Sequence, residues 1–238
     1  MRLVLDIGNT SVKAALFDNG TPVEVVRDAV THDILRMAEQ ADSCVYCSVR
    51  QDSDPVSQLV GNLQVPVMKL THESSLPIRI GYSTPHTLGM DRLAAAVGAW
   101  FMHPSQNLLV IDAGTAMTVD FVSSDGVFVG GNISAGASLR IRALHEHTGR
   151  LPQVPLQGST PLFGTDTETA IRSGVIQGMV NEIDGYIDRL RERYPSLLIF
   201  LTGGDSQLFE NRIKSSNFAE PNLVLLGLDR IFDYDKTE

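Results

Sequence analysis

The sequence predicts an α/β protein made of two copies of one domain, and three observations support this expectation. An apolar strand ends in an aspartate–glycine turn at residues 5–10 (LDIGNT) and again at residues 111–116 (IDAGTA). A second strand and a hairpin signal follow each turn, Asn19-Gly20 in the first half and Asp125-Gly126 in the second. Segments of helical periodicity follow in both halves. Because the same order of elements recurs nearly half a chain later, the 238 residues are expected to be a duplication.

The first domain is expected to cover residues 1–107. Its predicted strands are residues 2–7, 11–17, a run that ends at 26, 44–49 and 65–70. Its predicted helices are residues 31–41, 54–63 and 91–101. A loop rich in Gly, Pro, Ser and Thr, residues 81–89, precedes the last helix, and the break at residues 103–107 marks the boundary.

The second domain is expected to cover residues 108–238. Its predicted strands are residues 108–111, 117–122, 127–129, 197–201 and 223–226, and its predicted helices are 138–147, 165–194 and 228–232. The longest helix is expected to open with a capping box formed by Thr165 and Glu168. Gly203-Gly204 follows a buried strand and is expected to approach an adenine or ribose closely.

The composition excludes several classes of partner. A net charge of -9 and an isoelectric point near 5.1 give no basic footprint for nucleic acid or an anionic membrane. No apolar run approaches the roughly 20 residues that span a bilayer, and Met1 leads directly into a strand without a signal peptide. We therefore expect a cytoplasmic protein without nucleic-acid or membrane partners. Cys44 and Cys47 lack a second pair for zinc and are expected to be small buried hydrophobes.

Each aspartate–glycine turn places a carboxylate beside several backbone N–H groups. Phosphate oxygens accept hydrogen bonds from such groups, and glycine lets the backbone approach them closely. Since a carboxylate repels a bare triphosphate, a cation must lie between them, and Mg²⁺ held through water by Asp6 meets that need. Lys13, on the strand after the first turn, is a candidate phosphate contact. One such turn alone is commonly structural, so the prediction rests on its repetition.

Residues 89–92 (GMDR) combine a carboxylate with a guanidinium at the start of a predicted helix. Asp91 can accept a hydroxyl proton and Arg92 can bind a carboxylate, and a kinase acting on an acid-bearing alcohol needs both groups. The same spacing fits Asp91 as a helix N-cap and Arg92 as a first-turn surface residue. The residues alone leave both alternatives open.

The paired turns and the Gly-Gly element resemble the actin-like, Hsp70-like and sugar-kinase superfamily of ATP-binding proteins. A closer resemblance, in order and over essentially the whole chain, is to the type III pantothenate kinase family. It rests on DIGNTSVK at 6–13, Tyr82, GMDR at 89–92, DAGTAMTVD at 112–120, GGNI at 130–133, TDTETAI at 165–171 and LTGGD at 201–205. The resemblance implies an α/β, duplicated actin-like (ribonuclease H-like) two-domain fold with an ATP cleft between the domains.

The resemblance also implies a reaction, its cofactors and its residues. The reaction is ATP-dependent phosphorylation of pantothenate to 4′-phosphopantothenate, the first step of coenzyme A biosynthesis, with Mg²⁺ and a monovalent cation (K⁺ or NH₄⁺), in a homodimer. Asp91 is the implied catalytic proton acceptor and Asp112 the implied monovalent-cation ligand. The implied ATP contacts are Asp6, Ile7, Gly8, Asn9, Thr10, Ser11, Val12, Lys13 and Thr115, and the implied pantothenate contacts are Tyr82, Gly89, Met90, Asp91, Arg92 and Thr167. Thr167 lies in the first turn of a predicted capped helix, where unpaired N–H groups favour an anion.

Two other functions stay open at this point. One is a kinase of the same fold that acts on a sugar or another small alcohol, and the other is an ATP-binding regulator that has lost catalysis. The chain departs from the family pattern at Ala135, where a proline is usual. His145 and His147 stand two apart on a predicted helix and therefore face different ways, so they are expected to be surface residues.

Overall fold

The computed structural model describes residues 1–51, 53–215 and 218–235. The first elements are β1 (Arg2–Ile7), β2 (Val12–Asp18), β3 (Thr21–Val26), α1 (Thr31–Ala38), β4 (Ser43–Ser48), α2 (Pro55–Gly61), β5 (Val67–Lys69), β6 (Arg79–Ile80) and α3 (Met90–Met102). The later elements are β7 (Leu108–Ala113), β8 (Ala116–Ser123), β9 (Val127–Ala135), α4 (Ala137–Glu146), α5 (Thr167–Arg193), β10 (Leu198–Thr202), β11 (Phe218–Ala219) and α6 (Leu223–Asp235). Among the helices of these described ranges, none has the length and apolar character that a bilayer crossing requires.

Two sheets repeat the same strand order, which confirms the duplication. The first sheet has the order β3-β2-β1-β4-β5, and the second has the order β9-β8-β7-β10-β11 with β6 added beyond β9. In each sheet the first strand of the repeat pairs in parallel with the fourth, and the fourth with the fifth. The short strand β6 lies just before the loop predicted at residues 81–89, and the sequence does not predict this strand because two residues are too few to show a period of two.

Both predicted hairpin turns are present. Asn19 and Gly20 join β2 to β3 with φ values of 49° and 78°, the left-handed conformation that a type I′ turn requires at both central positions. Gly126 joins β8 to β9 with φ 73°. The antiparallel pairing of β1 with β2 places Asp6 opposite Lys13. This register, across the turn at residues 8–11, brings the two charged side chains together.

The chain divides into two units, each with its own core. Unit 1 comprises Met1–Gln106, Val122–Gly130 and Asn222–Glu238, and unit 2 comprises Asn107–Phe121 and Gly131–Pro221. The core of unit 1 includes apolar residues of β1, β2, α1 and β4, and that of unit 2 includes residues of β7, β8, α4, α5 and β10. The chain first passes from unit 1 to unit 2 between residues 106 and 107. The tip of the second hairpin and the helix α6 nevertheless belong to unit 1. The expected domains 1–107 and 108–238 stay a prediction.

The C-terminal segment is one helix, so the predicted strand at residues 223–226 is wrong. A Cβ at Gly227 of α6 would overlap the carbonyl oxygen of Ala94 on α3, and one at Gly98 would lie 2.5 Å from the carbonyl oxygen of Leu223. Small residues thus let α3 and α6 pack at close range. Arg2 adds an ion pair to the buried Asp229 at 2.6 Å. A four-residue apolar run fits a strand or a buried helix equally well, and packing decides in favour of the helix.

Candidate active site

The carboxylate of Asp6 lies in a row of side chains on the first sheet. Lys13 on β2 and Cys47 on β4 are its register partners on either side, and residues in register project from the same face. The Cys47 thiol donates a hydrogen bond to Oδ1 of Asp6, with an S···O distance of 3.7 Å. The structure therefore brings Asp6 and Lys13 together, as expected of the first turn.

Burial raises the pKa of Asp6 from 3.8 to about 6, although the charge of Lys13 and the hydrogen bond from Cys47 act in the opposite direction. The negative charge of Asp91 also raises this pKa, which means that Asp91 on α3 lies within electrostatic range of Asp6. Two carboxylates and one ammonium group thus share one region of unit 1. A carboxylate whose charge is penalised by burial gains most from a cation placed beside it.

The first turn exposes its polar residues and buries its flanks. Within residues 8–11, positions 9 and 10 are exposed and positions 8 and 11 are half-buried. Ile7 is fully buried and Val12 is 4% exposed, and both belong to the core of unit 1. Of the implied ATP contacts, these two therefore have only their backbone groups to offer a nucleotide.

Arg50, which belongs to none of the motifs in the sequence, holds the first turn in place. Its Nε donates a hydrogen bond to the carbonyl oxygen of Gly8 at 2.7 Å, and its Nη1 lies 3.2 Å from Asp54. Because β4 runs parallel to β1, the residues that end and follow β4 emerge beside the first turn. The pairing of β4 with β1 is therefore the information from which the positions of Cys47 and Arg50 beside the first turn can be inferred.

Asp91 lies in the first turn of α3, and the N-cap of this helix is Gly89. The alternative that makes Asp91 the N-cap is therefore wrong. Its Oδ1 accepts a hydrogen bond from the backbone N–H of Arg92 at 2.8 Å. A Cβ at Gly89 would lie 2.5 Å from the same oxygen, so a glycine at this position leaves room for the carboxylate. Met90, the remaining residue of the GMDR motif, is half-buried.

Arg92 is buried, with 6% exposure, so the alternative that puts it on the surface is also wrong. Its guanidinium carbon lies 5.7 Å from the ring centre of Tyr82 and 5.8 Å from that of Phe128. The two rings meet edge to face at 6.3 Å and 63°. The structure therefore brings Tyr82 and Arg92 together, and it adds Phe128 of β9, which the sequence analysis does not single out.

The second turn follows β7 in unit 2 and is enclosed by the backbone of two glycines. The N–H of Gly136 donates to the carbonyl oxygen of Thr115 at 3.0 Å, and a Cβ at Gly136 would overlap the carbonyl oxygen of Gly114. A Cβ at Gly203, whose φ is 95°, would lie 2.5 Å from Oδ1 of Asp112. Asp112 is half-buried and Thr115 is exposed.

The two glycines of the Gly-Gly element have different environments. A Cβ at Gly203 would also overlap the carbonyl oxygen of Ala113, so this glycine is required by packing against the second turn. Gly204 is exposed and has no heavy atom within 4 Å of an added Cβ. A contact with adenine or ribose at these residues stays a prediction.

Thr167 is the first residue of α5 and is exposed, as expected of a residue in the first helical turn. The predicted capping box of Thr165 and Glu168 is wrong by one residue. The N-cap is Asp166, whose Oδ1 accepts from the N–H of Thr169 at 2.9 Å. This hydrogen bond lowers the pKa of Asp166. Because a carboxylate already occupies this helix end, an anionic ligand is repelled there, and the hydroxyl of Thr167 is the more suitable contact.

An apolar cavity of about 850 Å³ lies between α4 and α5 in unit 2. Its lining includes Thr167, Ile171 and Val175 from α5, Leu144 from α4 and His147, the residue that follows α4. His147 is exposed, as is His145, whose Nδ1 lies 2.8 Å from the carbonyl oxygen of Leu151. Both histidines are therefore surface residues, as expected.

Cys44 and Cys47 are both fully buried and unbridged, as expected. Burial raises the pKa of the Cys44 thiol to about 12 and that of Cys47 well above its usual value. Only Cys44 belongs to the apolar core of unit 1. Cys47 instead contacts Asp6, so its side chain is part of the site and not only a small hydrophobe.

The side chains fit the two cations that the resemblance implies. Mg²⁺ takes oxygen ligands and retains several waters, which suits the single carboxylate of Asp6. K⁺ and NH₄⁺ also bind oxygen atoms. The carboxylate of Asp112 and the carbonyl oxygen of Ala113 lie near each other, because a Cβ added at Gly203 would be within 2.5 Å of both. Within residues 1–51, 53–215 and 218–235, no three His, Cys, Asp or Glu side chains form a metal-binding group.

Comparison with known proteins places this chain among characterised folds and families. Residues 2–189 match the profile described as type III pantothenate kinase. The type III pantothenate kinase of Phocaeicola vulgatus is 45% identical over 240 residues, which are 99% of each chain. Among solved structures, a Baf family protein from Campylobacter jejuni has a TM-score of 0.67 at 22% identity, over 99% of this chain and 100% of that one. The ROK hexokinase from Thermus thermophilus has a TM-score of 0.51 at 13% identity, over 96% and 97%.

The repeated sheet order and the likeness to ROK hexokinase define an α/β protein with the duplicated, two-domain actin-like fold. The match over residues 2–189 and the relative at 45% identity are more specific. The chain belongs to the type III pantothenate kinase family. The resemblance seen in the motifs of the sequence is thereby confirmed.

Proposed function

We propose that this chain transfers the γ-phosphoryl group of ATP to the primary hydroxyl of pantothenate and so forms 4′-phosphopantothenate, the first step of coenzyme A biosynthesis. Membership of the family supports the reaction. The observation that carries the proposal is the grouping of Asp6, Lys13 and Asp91 in one region of unit 1. This grouping supplies a carboxylate for a cation, an ammonium group for a phosphate and a second carboxylate for a hydroxyl proton.

Asp91 is the proposed proton acceptor. Phosphoryl transfer passes through a loose transition state, so catalysis comes mainly from positioning and charge neutralisation. A strong base is not required for this role, because the hydroxyl proton leaves late. Its Oδ1 is held by the N–H of Arg92, which supports a fixed orientation toward the hydroxyl.

The first turn is the proposed phosphate site. Backbone N–H groups of residues 6–13 and the ammonium group of Lys13 bind the phosphates of ATP. Asp6 holds Mg²⁺ through water, and that ion, when bound, neutralises phosphate charge. Arg50 keeps the turn in place through the carbonyl oxygen of Gly8. Loss of Arg50 is therefore expected to raise the KM for ATP.

Pantothenate is proposed to lie against Tyr82 and residues 89–92. Arg92 binds the substrate carboxylate, because a guanidinium pairs with a carboxylate through two parallel hydrogen bonds. Its burial between two aromatic rings supports this role, since a desolvated guanidinium binds a carboxylate more strongly than an exposed one does.

Three residues of unit 2 complete the proposal. Asp112 binds the monovalent cation, K⁺ or NH₄⁺, Thr115 contacts ATP, and the hydroxyl of Thr167 contacts pantothenate. The apolar cavity between α4 and α5, which Thr167 lines, supports a homodimer in which a second copy covers these helices. A cytoplasmic location is proposed as well. Light scattering of the purified protein tests the dimer, and a monomeric mass at micromolar concentration would contradict it.

One assay tests the reaction and its cation. ADP release is followed with MgATP and pantothenate in buffers that contain K⁺, NH₄⁺ or only Na⁺, and in parallel with a panel of sugars. We expect pantothenate-dependent release that K⁺ or NH₄⁺ stimulates. Release with sugars and not with pantothenate would favour the same-fold kinase for another alcohol, and binding of ATP without release would favour the inactive regulator.

The Asp112→Asn variant tests the cation ligand in the same assay. We expect it to lose stimulation by K⁺ because the amide carries no charge to hold the cation. The exposed Asp188 of unit 2, replaced by Asn, is the matched control and should keep that stimulation. If K⁺ stimulated the Asp112→Asn variant and the parent equally, Asp112 would not be the cation ligand.

A further inference from the structure

The ring of Phe128 has no exposure and lies against the guanidinium of Arg92 from an element distant in sequence. The three centres, Arg92 Cζ and the rings of Tyr82 and Phe128, are separated by 5.7, 5.8 and 6.3 Å. The guanidinium therefore lies in the angle between two rings that meet edge to face. Both distances from the guanidinium are within the range of about 6 Å over which a ring attracts a cation.

Backbone pairing ties Phe128 to the loop that carries Tyr82. Ile80 of β6 is in register with Phe128 of β9, and the N–H of Gly81 donates to the carbonyl oxygen of Phe128 at 2.9 Å. Tyr82 is the next residue along the chain. One residue of β9 thus anchors the start of the loop through its backbone and faces Arg92 with its side chain.

Aromatic contacts suit a guanidinium that must present its donors to a ligand. A ring attracts the cation through its negative face, whereas carboxylate recognition uses the N–H donors in the guanidinium plane. Contact with rings therefore restricts the orientation of the guanidinium without replacing those donors.

We propose that Phe128 is a positioning residue that orients Arg92 for the carboxylate of the substrate and so contributes to selection of an acid over its neutral analogue. This inference rests on the proposed function. Phe128 contacts Arg92 and Tyr82 and acts through them. Its effect is expected on recognition of the acid group and not on the transfer of the phosphoryl group.

The contrasting explanation is that Phe128 only fills the interior of unit 1. Loss of a buried ring would then lower stability and reduce activity toward every substrate alike. The two explanations differ in one quantity, the ratio of the KM for pantothenate to the KM for its carboxamide analogue, which lacks the negative charge. A loss of folded protein affects both substrates equally and therefore cancels from this ratio.

The test uses the full chain with Phe128→Leu and, as a near-isosteric second variant, pentafluorophenylalanine at position 128, which reverses the charge distribution of the ring. Phe17→Leu, another buried phenylalanine of unit 1, is the matched control. Thermal unfolding checks that each protein folds. KM and kcat are measured for pantothenate, for the carboxamide and for MgATP.

We expect either change at Phe128 to raise the KM for pantothenate about 2- to 30-fold, the range that corresponds to a partly or fully desolvated cation–ring contact. The KM for the carboxamide, the KM for MgATP and kcat should stay within about twofold of the parent. Phe17→Leu should leave the ratio of the two KM values unchanged.

Equal increases for acid and carboxamide in the fluorinated variant would overturn the inference, and so would an unchanged KM for pantothenate. Both results leave the proposed function intact. Absence of pantothenate-dependent ADP release by the unaltered protein would instead overturn the proposed function and this inference with it.

Discussion

Replacing Asp6 with Asn should stabilise the free protein at neutral pH while it abolishes activity. Burial raises the pKa of Asp6 from 3.8 to about 6, so the folded state holds the proton more tightly than the unfolded chain does. The contribution of a carboxyl group with a raised pKa to the free energy of unfolding is complete below pH 3.8, where the group is protonated in both states. That contribution is lost as the pH rises toward and through about 6, since the folded state must then ionise a buried group.

The size of the effect follows from the shift. At about 1.4 kcal/mol for each pKa unit, the rise to about 6 corresponds to a cost of up to about 3 kcal/mol at pH 7. Asparagine has nearly the same shape and carries no charge, so Asp6→Asn removes this cost. For a protein of this size, each kcal/mol raises the midpoint of thermal unfolding by about 2–4 °C. The variant is therefore expected to melt up to about 12 °C higher at pH 7 than the parent.

The assay is thermal unfolding between pH 4 and pH 8 without nucleotide and with a chelator present. The difference between parent and variant should be small near pH 4, grow up to about pH 6 and stay constant above it. Asp18→Asn, an exposed carboxylate on β2, is the control and should show no such growth. A variant that is less stable than the parent at pH 7, or a difference that does not depend on pH, would refute the reasoning.

Three further predictions concern Asp91 of α3, the packing of Gly203 against the second turn and the start of the longest helix. Asp91→Asn should lower kcat on the order of 100-fold or more with little change in the KM for ATP, and near-normal turnover would exclude Asp91 as the proton acceptor. Gly203→Ala should cost about 3 kcal/mol or more in urea unfolding, because its φ is 95° and the added Cβ would overlap backbone. Gly204→Ala is its control, with open space around it, and equal losses would contradict the close packing at Gly203. Asp166→Ala should lower the free energy of unfolding by about 1 kcal/mol, because it removes a helix cap. Thr165→Ala should lower it by less in the same urea unfolding experiment. A larger loss for Thr165→Ala would show that Thr165 is the N-cap.

The parts of the fold that the sequence predicts are those that short stretches determine by themselves. Asn19-Gly20 specifies a turn with two positive φ values, and that turn fixes which residues of β2 and β3 face each other. Ile171 and the apolar residues spaced along α5 after it predict the longest helix because their period is 3.6 residues. The first turn of the site follows in the same way from Asp6 and Gly8.

The parts that the sequence does not predict depend on contacts between distant residues. The strand predicted at residues 223–226 fails because Gly227 packs against Ala94, and no local pattern records that contact. Phe128 reaches the site only through the pairing of β6 with β9, and Cys47 only through that of β4 with β1. A residue that supports a functional group from another strand carries no motif of its own.

The place of α6 in unit 1 has a consequence for how the protein is made. A ribosome synthesises the chain from its N-terminus, yet the unit that begins with β1 includes a segment that follows unit 2 in the sequence, Asn222–Glu238. Unit 2, by contrast, is fully translated at Pro221. The unit that is synthesised first is therefore completed only after unit 2, and the α3 surface around Ala94 and Gly98 stays uncovered until α6 is translated. Nascent chains that stop short of α6 would display that apolar surface to chaperones and proteases.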